Sequence, residues 1–219
     1  MCGIIGIVGS SAVADRLVDG LRRMEYRGYD SAGLCTLHDG ALVRRRAEGR
    51  LANLVRVLEA DPAPGMVGIA HTRWATHGAP TAANAHPHAT DEVAIVHNGI
   101  IENFKELRAQ LAALGVEAGA DPETAVRRVL PRLRGAFALA IAFRQHPDLL
   151  IGARLGSPLV LGYGPQGREA EMYLGSDALA LAPLTQRITY LEEGDWVVIR
   201  RDGATIFDGA GQPVTRPIQ

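Results

Sequence analysis

The chain has 219 residues, of which 47% are hydrophobic and 21% charged, a composition typical of a globular domain rather than a disordered chain. Its formal net charge of −1 argues against a nucleic-acid or membrane-surface binder, because both need a basic face. The two cysteines show no CxxC spacing and indicate no disulfide framework. Since no apolar run is long enough to span a membrane, we expect a cytoplasmic protein.

The first third of the chain predicts strands alternating with helices. The run GIIGIVG, rich in Ile and bounded by glycines, predicts a strand. Apolar residues then recur at helical spacing, at Val13, Leu17, Leu21 and Met24. The segments AGLCTL and ALVRRRA flank a hairpin turn, HDG, and LANLVRVLEA predicts a second helix. We expect the basic run at residues 44–46 to lie at a solvated strand edge.

The remainder of the chain predicts two helices and a strand-rich last third. EVAIVHNGI reads as a buried strand that breaks at Asn98-Gly99, and the segments ENFKELRAQLAALG and DPETAVRRVLPRL predict helices. Residues 209–219 predict a linker-like tail. Because the strands are mostly apolar on both faces or alternate against one packed face, they predict two stacked sheets with helices outside, an α/β layered fold.

Polar chemistry is concentrated between residues 71 and 97. Five of the seven histidines fall there: His71, His77, His86, His88 and His97. Polar side chains on loops between buried strands indicate a functional site, although each histidine could equally hold a loop through hydrogen bonds. The window contains no HExxH motif, and Pro87 separates the closest histidine pair, so we expect no metal site.

Cys2 is one cleavage away from the N-terminus. Removal of Met1 is expected because the second side chain is small, and Cys2 would then carry a thiol and a free α-amine. An α-amine pKa of about 7.7–8.0 makes that amine a suitable base for the thiol. The alternative is a buried strand cysteine without a catalytic role. Asn98 and Gly99 could supply oxyanion donors and Arg73 could bind a carboxylate, which together suggest acyl transfer from a small amino-acid amide.

Several long motifs resemble the glutaminase domains of glucosamine-6-phosphate synthases, which are class II glutamine amidotransferases. They are MCGIIGIVG, LRRMEYRGYDSAGL, GIAHTRWATHGAPT, NAHPH and VHNGIIENFKELR, and the likeness resumes at LPRLRGAFALAI and runs through SDALALAPLTQRITYLEEGDWVVI. The resemblance implies one amidotransferase domain over residues 1–219 with the N-terminal nucleophile hydrolase fold. That fold is a four-layer αββα sandwich of two mainly antiparallel sheets.

The resemblance also implies roles for individual residues. Cys2 would attack the glutamine side-chain amide with its α-amine as base, and Asn98 and Gly99 would form the oxyanion hole. Ammonia would leave, and water would hydrolyse the γ-glutamyl thioester. No cofactor is expected.

Further residues would bind glutamine or shape its pocket. Arg73 would bind the α-carboxylate, with Thr76 and His77 in the same closing loop. Trp74 would help to gate the path of ammonia. The expected structural supports of the pocket are Arg27 and His86.

The sequence departs from the family in two places. The sugar-phosphate isomerase region, which uses the ammonia on fructose 6-phosphate, is absent, so we expect a separate isomerase domain or subunit as acceptor. The segment around residues 115–125 is also shorter than in the family, which has an Asp there for the α-amino group of glutamine. Asp121 is the candidate replacement. If that site is missing instead, glutamine affinity would fall roughly tenfold to a hundredfold.

Three hypotheses follow. The first is a glutamine-hydrolysing amidotransferase domain. The second is an N-terminal nucleophile amidase that acts on a different amide, motivated by the altered amino-group site. The third is a catalytically weak binding or regulatory subunit, which the joint presence of Cys2, Arg73, Asn98 and Gly99 opposes.

Overall fold

Two antiparallel β-sheets form the framework of the chain, and the computed structural model describes residues 2–75, 78–107, 110 and 121–219. The strands in chain order are β1 (Gly3–Val8), β2 (Ser31–His38), β3 (Ala41–Glu48), β4 (Val67–Arg73), β5 (His88–Ala89), β6 (Val93–Ile101), β7 (Gly135–Phe143), β8 (Leu150–Leu155), β9 (Val160–Tyr163), β10 (Met172–Gly175), β11 (Ile188–Tyr190), β12 (Trp196–Arg200), β13 (Gly203–Phe207) and β14 (Pro213–Val214). Within the described ranges each sheet has seven strands.

The strand order brings remote parts of the chain together. Sheet 1 has the order β11-β9-β10-β1-β4-β2-β3, and sheet 2 has the order β14-β13-β12-β8-β7-β6-β5. The N-terminal strand β1 therefore lies near the middle of sheet 1, where it pairs with β10 on one side and β4 on the other. A strand paired on both edges is held firmly, so the residue that precedes it is well positioned.

Helices cover the outer faces of both sheets. The helices whose bounds lie within the described residues are α1 (Ala14–Arg23), α2 (Leu51–Ala60), α3 (Pro122–Val129) and α4 (Ala178–Leu181), with 3₁₀ turns at Glu25–Arg27, Leu130–Arg132 and Gly167–Glu169. Residues 104–107 and 110 are also helical, and the rest of the helix predicted from ENFKELRAQLAALG lies outside the described residues. Helices α1, α2 and α4 pack on sheet 1, whereas α3 packs on sheet 2 through Val126. The predicted four-layer αββα sandwich is confirmed. None of the helices in the described part of the chain is long and apolar enough to cross a bilayer.

The space between the sheets holds the main core. On β1, Ile4 and Val8 point into this inter-sheet gap, while Ile5 and Ile7 point toward the helices. Successive residues of a strand lie on opposite faces, so both faces of β1 are buried. Burying each such side chain contributes about 1.5–3 kcal/mol. This explains why the strand reads as a continuous apolar run.

The last residues do not behave as the predicted linker-like tail. Strand β14 pairs with β13, and Gln219 exchanges two backbone hydrogen bonds with Ile188, at 3.0 and 2.8 Å. Arg216 donates two hydrogen bonds of 2.9 Å to Asp195, whose side chain is fully buried. A buried carboxylate needs a cation to offset its desolvation, and this pairing holds the segment against the domain.

Candidate active site

Strand alternation carries several polar side chains into one end of the inter-sheet gap. On β4, His71 and Arg73 lie two and four residues beyond the core residue Ile69 and therefore point to the same side. Asn98 stands in the same relation to the core of β6, and Cys2 to that of β1. Three strands from two sheets thus bring a thiol, a guanidinium, an imidazole and an amide together.

The Cys2 thiol is half-buried and contacts the loop after β4. The backbone N–H of Trp74 donates to Cys2 Sγ at 3.4 Å. Burial raises the pKa of the Cys2 thiol, and the negative charge of Asp30 adds to this effect. The hydrogen bond from Trp74 and the positive charge of Arg73 lower the pKa, but burial is the largest cause and the net pKa is raised. The resting group is therefore a thiol, and attack on a substrate requires a base.

Asn98 lies between Cys2 and His71. Its Nδ2 donates to the carbonyl oxygen of Cys2 at 3.1 Å, and its Oδ1 lies 3.1 Å from His71 Nε2. The side chain is buried, at 7% relative exposure, so both ends of the amide are held by protein partners. An amide held in this way is a preorganised donor beside the thiol.

Gly99 follows Asn98 in a conformation that other residues avoid. Its φ is +101°, and a Cβ at this position would lie 2.0 Å from the carbonyl oxygen of Ala136 on the paired strand. Only glycine lets β6 keep this backbone, which places the Gly99 N–H next to the Asn98 side chain. The break that the sequence predicts at Asn98-Gly99 is thus a local change of conformation inside a continuous strand.

Four histidines form a stack behind the amide. The ring of His86 lies over that of His71, with centroids 4.4 Å apart and planes at 20°, and it meets His88 edge-on at 4.4 Å. Its Nδ1 accepts from the backbone N–H of His97 at 3.1 Å. Burial lowers the pKa of His71 to about 3 and that of His97 to about 4, so these rings are neutral at pH 7.

The loop that carries His86 is seated on sheet 1. A Cβ on Gly33 of β2 would lie 2.2 Å from the His86 carbonyl oxygen, so the loop approaches the strand closely. Arg46 donates to the carbonyl oxygens of Ala83 and Ala85, both at 2.9 Å. The basic run at residues 44–46 lies on the edge strand β3, as predicted, but its side chains are half-buried and Arg46 holds this loop. In the described ranges, no group of three or more His, Cys, Asp or Glu side chains could hold a metal ion.

Arg73 is buried and faces the gap. Its guanidinium donates to the carbonyl oxygens of Ala79 at 3.1 Å and Gly78 at 3.4 Å, in the loop that follows β4. A guanidinium held by carbonyls near a thiol is suited to a carboxylate ligand, because its planar fork matches two oxygens. The other two predicted residues of this loop, Thr76 and His77, lie outside the described residues.

Asp30 organises the same loop and was missed by the sequence reasoning. Its carboxylate accepts from the backbone N–H of Ala75 and from the Ser31 hydroxyl, and its own N–H donates to the Arg73 carbonyl at 3.2 Å. These bonds place the Trp74 N–H against the Cys2 thiol. The available signal was an acidic residue directly before a buried strand, within a motif that already carried the resemblance.

Trp74 and Arg27 lie at the rim of the site. Trp74 is 43% exposed, and its ring meets Tyr29 edge-on at 5.3 Å. Arg27 forms an ion pair with Asp177 at the start of α4. It ends the 3₁₀ turn whose next residue, Gly28, packs against the backbone of the Arg73–Trp74 loop. This geometry is compatible with a supporting position for Arg27.

The structure does not bring Asp121 to the site. It is the exposed N-cap of α3, where its carboxylate accepts from the backbone N–H groups of Glu123 and Thr124 at 3.1 and 3.3 Å. These side-chain and backbone hydrogen bonds lower its pKa. Helix α3 packs on the outer face of sheet 2. Its C-terminal end continues through a 3₁₀ turn to Gly135, which pairs with Ile101. Asp121 is at the opposite end of the helix from that connection. The prediction that Asp121 contacts the substrate is corrected accordingly.

Comparisons with known proteins agree with this geometry. A family model described as a glutamine amidotransferase domain matches residues 71–184, more than half of the chain. The glutamine–fructose-6-phosphate aminotransferase (isomerizing) of Zymomonas mobilis is 62% identical over 237 positions, covering 100% of this chain and 38% of the relative. The Brucella suis enzyme of the same name is 56% identical, covering 100% and 39%. The chain therefore spans less than two fifths of the length of these relatives.

Solved structures show the same fold. A glutamine phosphoribosylpyrophosphate amidotransferase from B. subtilis, complexed with ADP and GMP, gives a TM-score of 0.77 at 22% identity and covers 95% of this chain and 49% of its own. A glutamine aminotransferase class-II domain protein from Silicibacter pomeroyi gives 0.61 at 16% identity, covering 95% and 100%. The chain thus shares the fold of these two proteins. With the family match, the close relatives and the fold in agreement, the chain belongs to the glutamine amidotransferase domain family.

Proposed function

We propose that this domain hydrolyses L-glutamine to glutamate and ammonia with Cys2 as the nucleophile. The observation that carries the proposal is the placement of Cys2 beside an amide donor and at the same end of the gap as a buried guanidinium. Asn98 Nδ2 bonds the Cys2 carbonyl at 3.1 Å, and Arg73 faces the same end of the gap. Nucleophile, oxyanion donors and carboxylate anchor are the groups that acyl transfer from an amino-acid amide requires.

The first step is removal of the thiol proton. Burial raises the pKa of Cys2, so a base must act before attack. Once Met1 is removed, the α-amine of Cys2 is that base, since its pKa of about 7.7–8.0 leaves a useful neutral fraction near pH 7. The Trp74 N–H, 3.4 Å from Sγ, stabilises the thiolate that forms.

Attack on the glutamine side-chain amide forms a bond between Sγ and its carbonyl carbon. Negative charge moves to the amide oxygen, where Asn98 Nδ2 and the Gly99 N–H donate hydrogen bonds. Such a donor is worth about 3–4 kcal/mol in comparable sites. The C–N bond then breaks, and the leaving nitrogen takes the proton held by the α-amine and departs as ammonia.

Hydrolysis of the γ-glutamyl thioester uses the same base and oxyanion donors, with water as the nucleophile. The α-amine takes a proton from water, and the resulting hydroxide attacks the thioester carbonyl within the same oxyanion hole. The C–S bond breaks, glutamate leaves, and the proton returns to Cys2. Throughout both steps Arg73 binds the α-carboxylate, with Thr76 and His77 proposed as parts of the same loop. His86 and Arg27 support the pocket.

The fate of the ammonia is proposed from the relatives. Their name pairs glutamine with fructose 6-phosphate, and this chain spans about 38% of their length. We infer that ammonia passes the exposed Trp74 to a sugar-phosphate isomerase domain or subunit, where it would yield glucosamine 6-phosphate from fructose 6-phosphate, in the cytoplasm. The chain itself contains the glutamine half of that reaction.

Intact mass spectrometry tests the proposed nucleophile. The purified chain is weighed before and after treatment with 6-diazo-5-oxo-norleucine, a glutamine-like electrophile, beside the Cys2→Ala variant. We expect a mass that lacks Met1 and a single adduct at residue 2, with none on the variant. A processed chain that gains no adduct but turns over another amide would overturn glutamine as substrate. Ammonia release from glutamine by Cys2→Ala would overturn the nucleophile.

The position of Asp121 favours a second candidate, an amidase for an amide that lacks the α-amino group. Asp121 caps α3 and does not approach Cys2, so it supplies no counter-charge for an ammonium group. The test compares kcat/KM for glutamine and for glutaramate, which has no α-amino group. A preference for glutamine of tenfold or more supports the first candidate, whereas equal or better use of glutaramate supports the second.

A further inference from the structure

We propose that His71 is a positioning residue for the oxyanion hole: its Nε2–H donates to Asn98 Oδ1 and so turns the amide nitrogen toward Cys2. This inference rests on the proposed glutamine hydrolysis, because it names what holds one of its donors. His71 lies behind Asn98, on the side away from Cys2, and acts only through the amide.

An oxyanion hole needs the right end of an asparagine. The two ends of a carboxamide have nearly the same shape, but one donates and the other accepts. If Asn98 were rotated by half a turn, a carbonyl oxygen would face the developing negative charge and repel it. The structure must therefore distinguish Nδ2 from Oδ1, and the distinction depends on their neighbours.

The neighbours of His71 determine which of its nitrogens carries the proton. Nε2 lies 3.1 Å from the carbonyl oxygen of His97, and a carbonyl oxygen can only accept. Nδ1 is buried without a hydrogen-bond partner, and a bare lone pair is less costly there than an N–H without an acceptor. Both features select the neutral tautomer that is protonated at Nε2.

The proton on His71 Nε2 sets the orientation of the Asn98 amide. A protonated Nε2 presents a donor to Asn98 and shares it with the His97 carbonyl, so the end of the amide that faces it, at 3.1 Å, is the acceptor Oδ1. Nδ2 must then face Cys2, where the Cys2 carbonyl accepts from it at 3.1 Å. Each bond therefore has a defined donor and acceptor. The first of these bonds is to the main-chain carbonyl of His97, which can only accept.

The plane of the His71 ring is also held. His86 stacks on it at 4.4 Å and 20°, and His86 Nδ1 accepts the N–H of the same His97 whose carbonyl faces His71. The side chain of His71 is 1% exposed, so water does not compete for Nε2. His71 is thus a fixed donor.

Kinetics of two variants test the role. His71→Gln keeps an N–H donor near the position of Nε2, whereas His71→Leu has none. We expect His71→Leu to lower kcat for glutamine about 10- to 100-fold, less than the ~10²–10³-fold loss that follows removal of an oxyanion donor. KM should stay within about threefold, and His71→Gln should recover most of the kcat. A loss confined to KM, or equal losses in both variants, would overturn the role.

A double-mutant cycle separates this role from a merely structural one. In an Asn98→Ala background there is no amide to orient, so His71→Leu should change kcat by less than about threefold. An undiminished effect in that background overturns the proposal.

The tautomer itself is measured by ¹⁵N NMR of the imidazoles in the unmodified chain, which needs neither turnover nor a variant that folds. Protonation at Nε2 supports the inference, and protonation at Nδ1 overturns it. If the chain fails to hydrolyse glutamine although Nε2 is protonated, the proposed function fails while the orientation of Asn98 stands.

Discussion

The two ends of the inter-sheet gap are built from the same faces of the same strands, yet one is apolar and the other polar. Val8 pairs with Val67 at the first end, where both side chains are nearly fully buried. At the second end Gly3 pairs with Thr72, and the neighbours on the gap side are Cys2, His71 and Arg73. The alternation of side chains along a strand determines which face of the sheet a residue lies on. Its position along β1 or β4 determines whether it lies at the apolar or the polar end of the gap.

The amide and the guanidinium at the polar end have hydrogen-bond partners within the protein, although His71 Nδ1 and His97 Nε2 are buried without one among the described residues. The amide of Asn98 and the guanidinium of Arg73 make their hydrogen bonds to carbonyls and a ring nitrogen of the protein. A buried polar group without partners costs more than it contributes, so the polar end is also the more constrained one. It should therefore respond to substitution in activity, and the apolar end in stability.

The two cysteines provide the sharpest contrast between the ends. Cys35 lies in the apolar core, where burial raises its thiol pKa to about 12 and leaves it unreactive. We expect Cys2→Ala to lower turnover of glutamine by at least about 10⁴-fold while glutamine still binds. Cys35→Ala should keep full turnover and lose about 1–2 kcal/mol of unfolding free energy. Coupled ammonia assays, calorimetric binding and urea unfolding measure these effects, and near-full activity of Cys2→Ala would contradict the assignment.

Two glycines separate catalytic geometry from backbone strain. Gly99→Ala introduces a Cβ 2.0 Å from the Ala136 carbonyl oxygen and displaces the adjacent oxyanion donors, so kcat should fall about 10²–10³-fold. Gly40 also has a positive φ, +72°, but a Cβ there would meet nothing within 4 Å. Gly40→Ala should therefore cost only about 1–2 kcal/mol of stability. Equal kcat losses in the two variants would mean that strain, and not the donors, limits turnover.

Arg73, which is buried, and Arg216, which is half-buried, make a pair of hydrogen-bonded cations at different places. Arg73→Lys keeps the charge but loses the planar fork, so we expect the KM for glutamine to rise about 10- to 100-fold with kcat little changed. Arg216→Lys acts on the C-terminal segment at Asp195 and should lower the melting temperature without moving KM. Steady-state kinetics decide between them, and a purely kcat effect in Arg73→Lys would argue against carboxylate binding.

The histidine stack gives the polar end a pH-dependent stability. The pKa values of His71 and His97, about 3 and about 4, lie below the value of about 6.5 for an unfolded chain. The unfolded chain therefore binds more protons below pH 6.5, and stability present above that pH is lost as the pH falls. Between pH 6.5 and 5 we expect unfolding free energy to decline by about 1 kcal/mol per pH unit for each fully displaced histidine.

Urea unfolding across that range measures the decline, and two variants assign it. Burial also lowers the pKa of His86, so His86→Phe removes one of the displaced histidines and should reduce the slope, while His71 and His97 keep the remainder. Glu171→Gln is the control: burial raises the pKa of Glu171, but bonds from Arg16 and Ser10 outweigh it and hold the value at about 2. Its contribution is lost only below about pH 4.5, so the slope above pH 5 should be unchanged. A slope in His86→Phe equal to that of the unmodified chain would mean that His86 contributes nothing to it.

Much of this architecture could be predicted from local pattern. Alternation and apolar runs predicted both sheets, and the same alternation places Arg73 and Asn98 on the gap side once Ile69 and Val96 are known to be core. The position of Arg46 was also readable, since it shares a face of β3 with Leu42, which packs on the inter-sheet core. The solvated-edge prediction for that run considered charge and ignored alternation.

Pairings between remote residues could not be predicted in the same way. The carboxylate of Asp195 lies 21 positions from the guanidinium that neutralises it, and nothing in either local sequence marks the pair. The tautomer of His71 depends on a carbonyl 26 positions away. Such contacts exist only once the strand order is set, so composition made residues 209–219 resemble a linker.

For Asp121 the local sequence predicts a helix cap, whereas the family resemblance suggested a contact with the α-amino group of glutamine. An Asp followed by Pro-Glu is a strong start signal for a helix, and the structure shows that cap. Asp121→Asn keeps a good N-cap and removes the charge, whereas Asp121→Ala removes both. We expect the KM for glutamine to stay within about twofold in both variants and the melting temperature to fall only in Asp121→Ala. A tenfold rise in KM for Asp121→Asn would mean that this carboxylate does bind the amino group of the substrate. Asp121 would then have to move from the N-cap of α3 toward the polar end of the gap when glutamine binds.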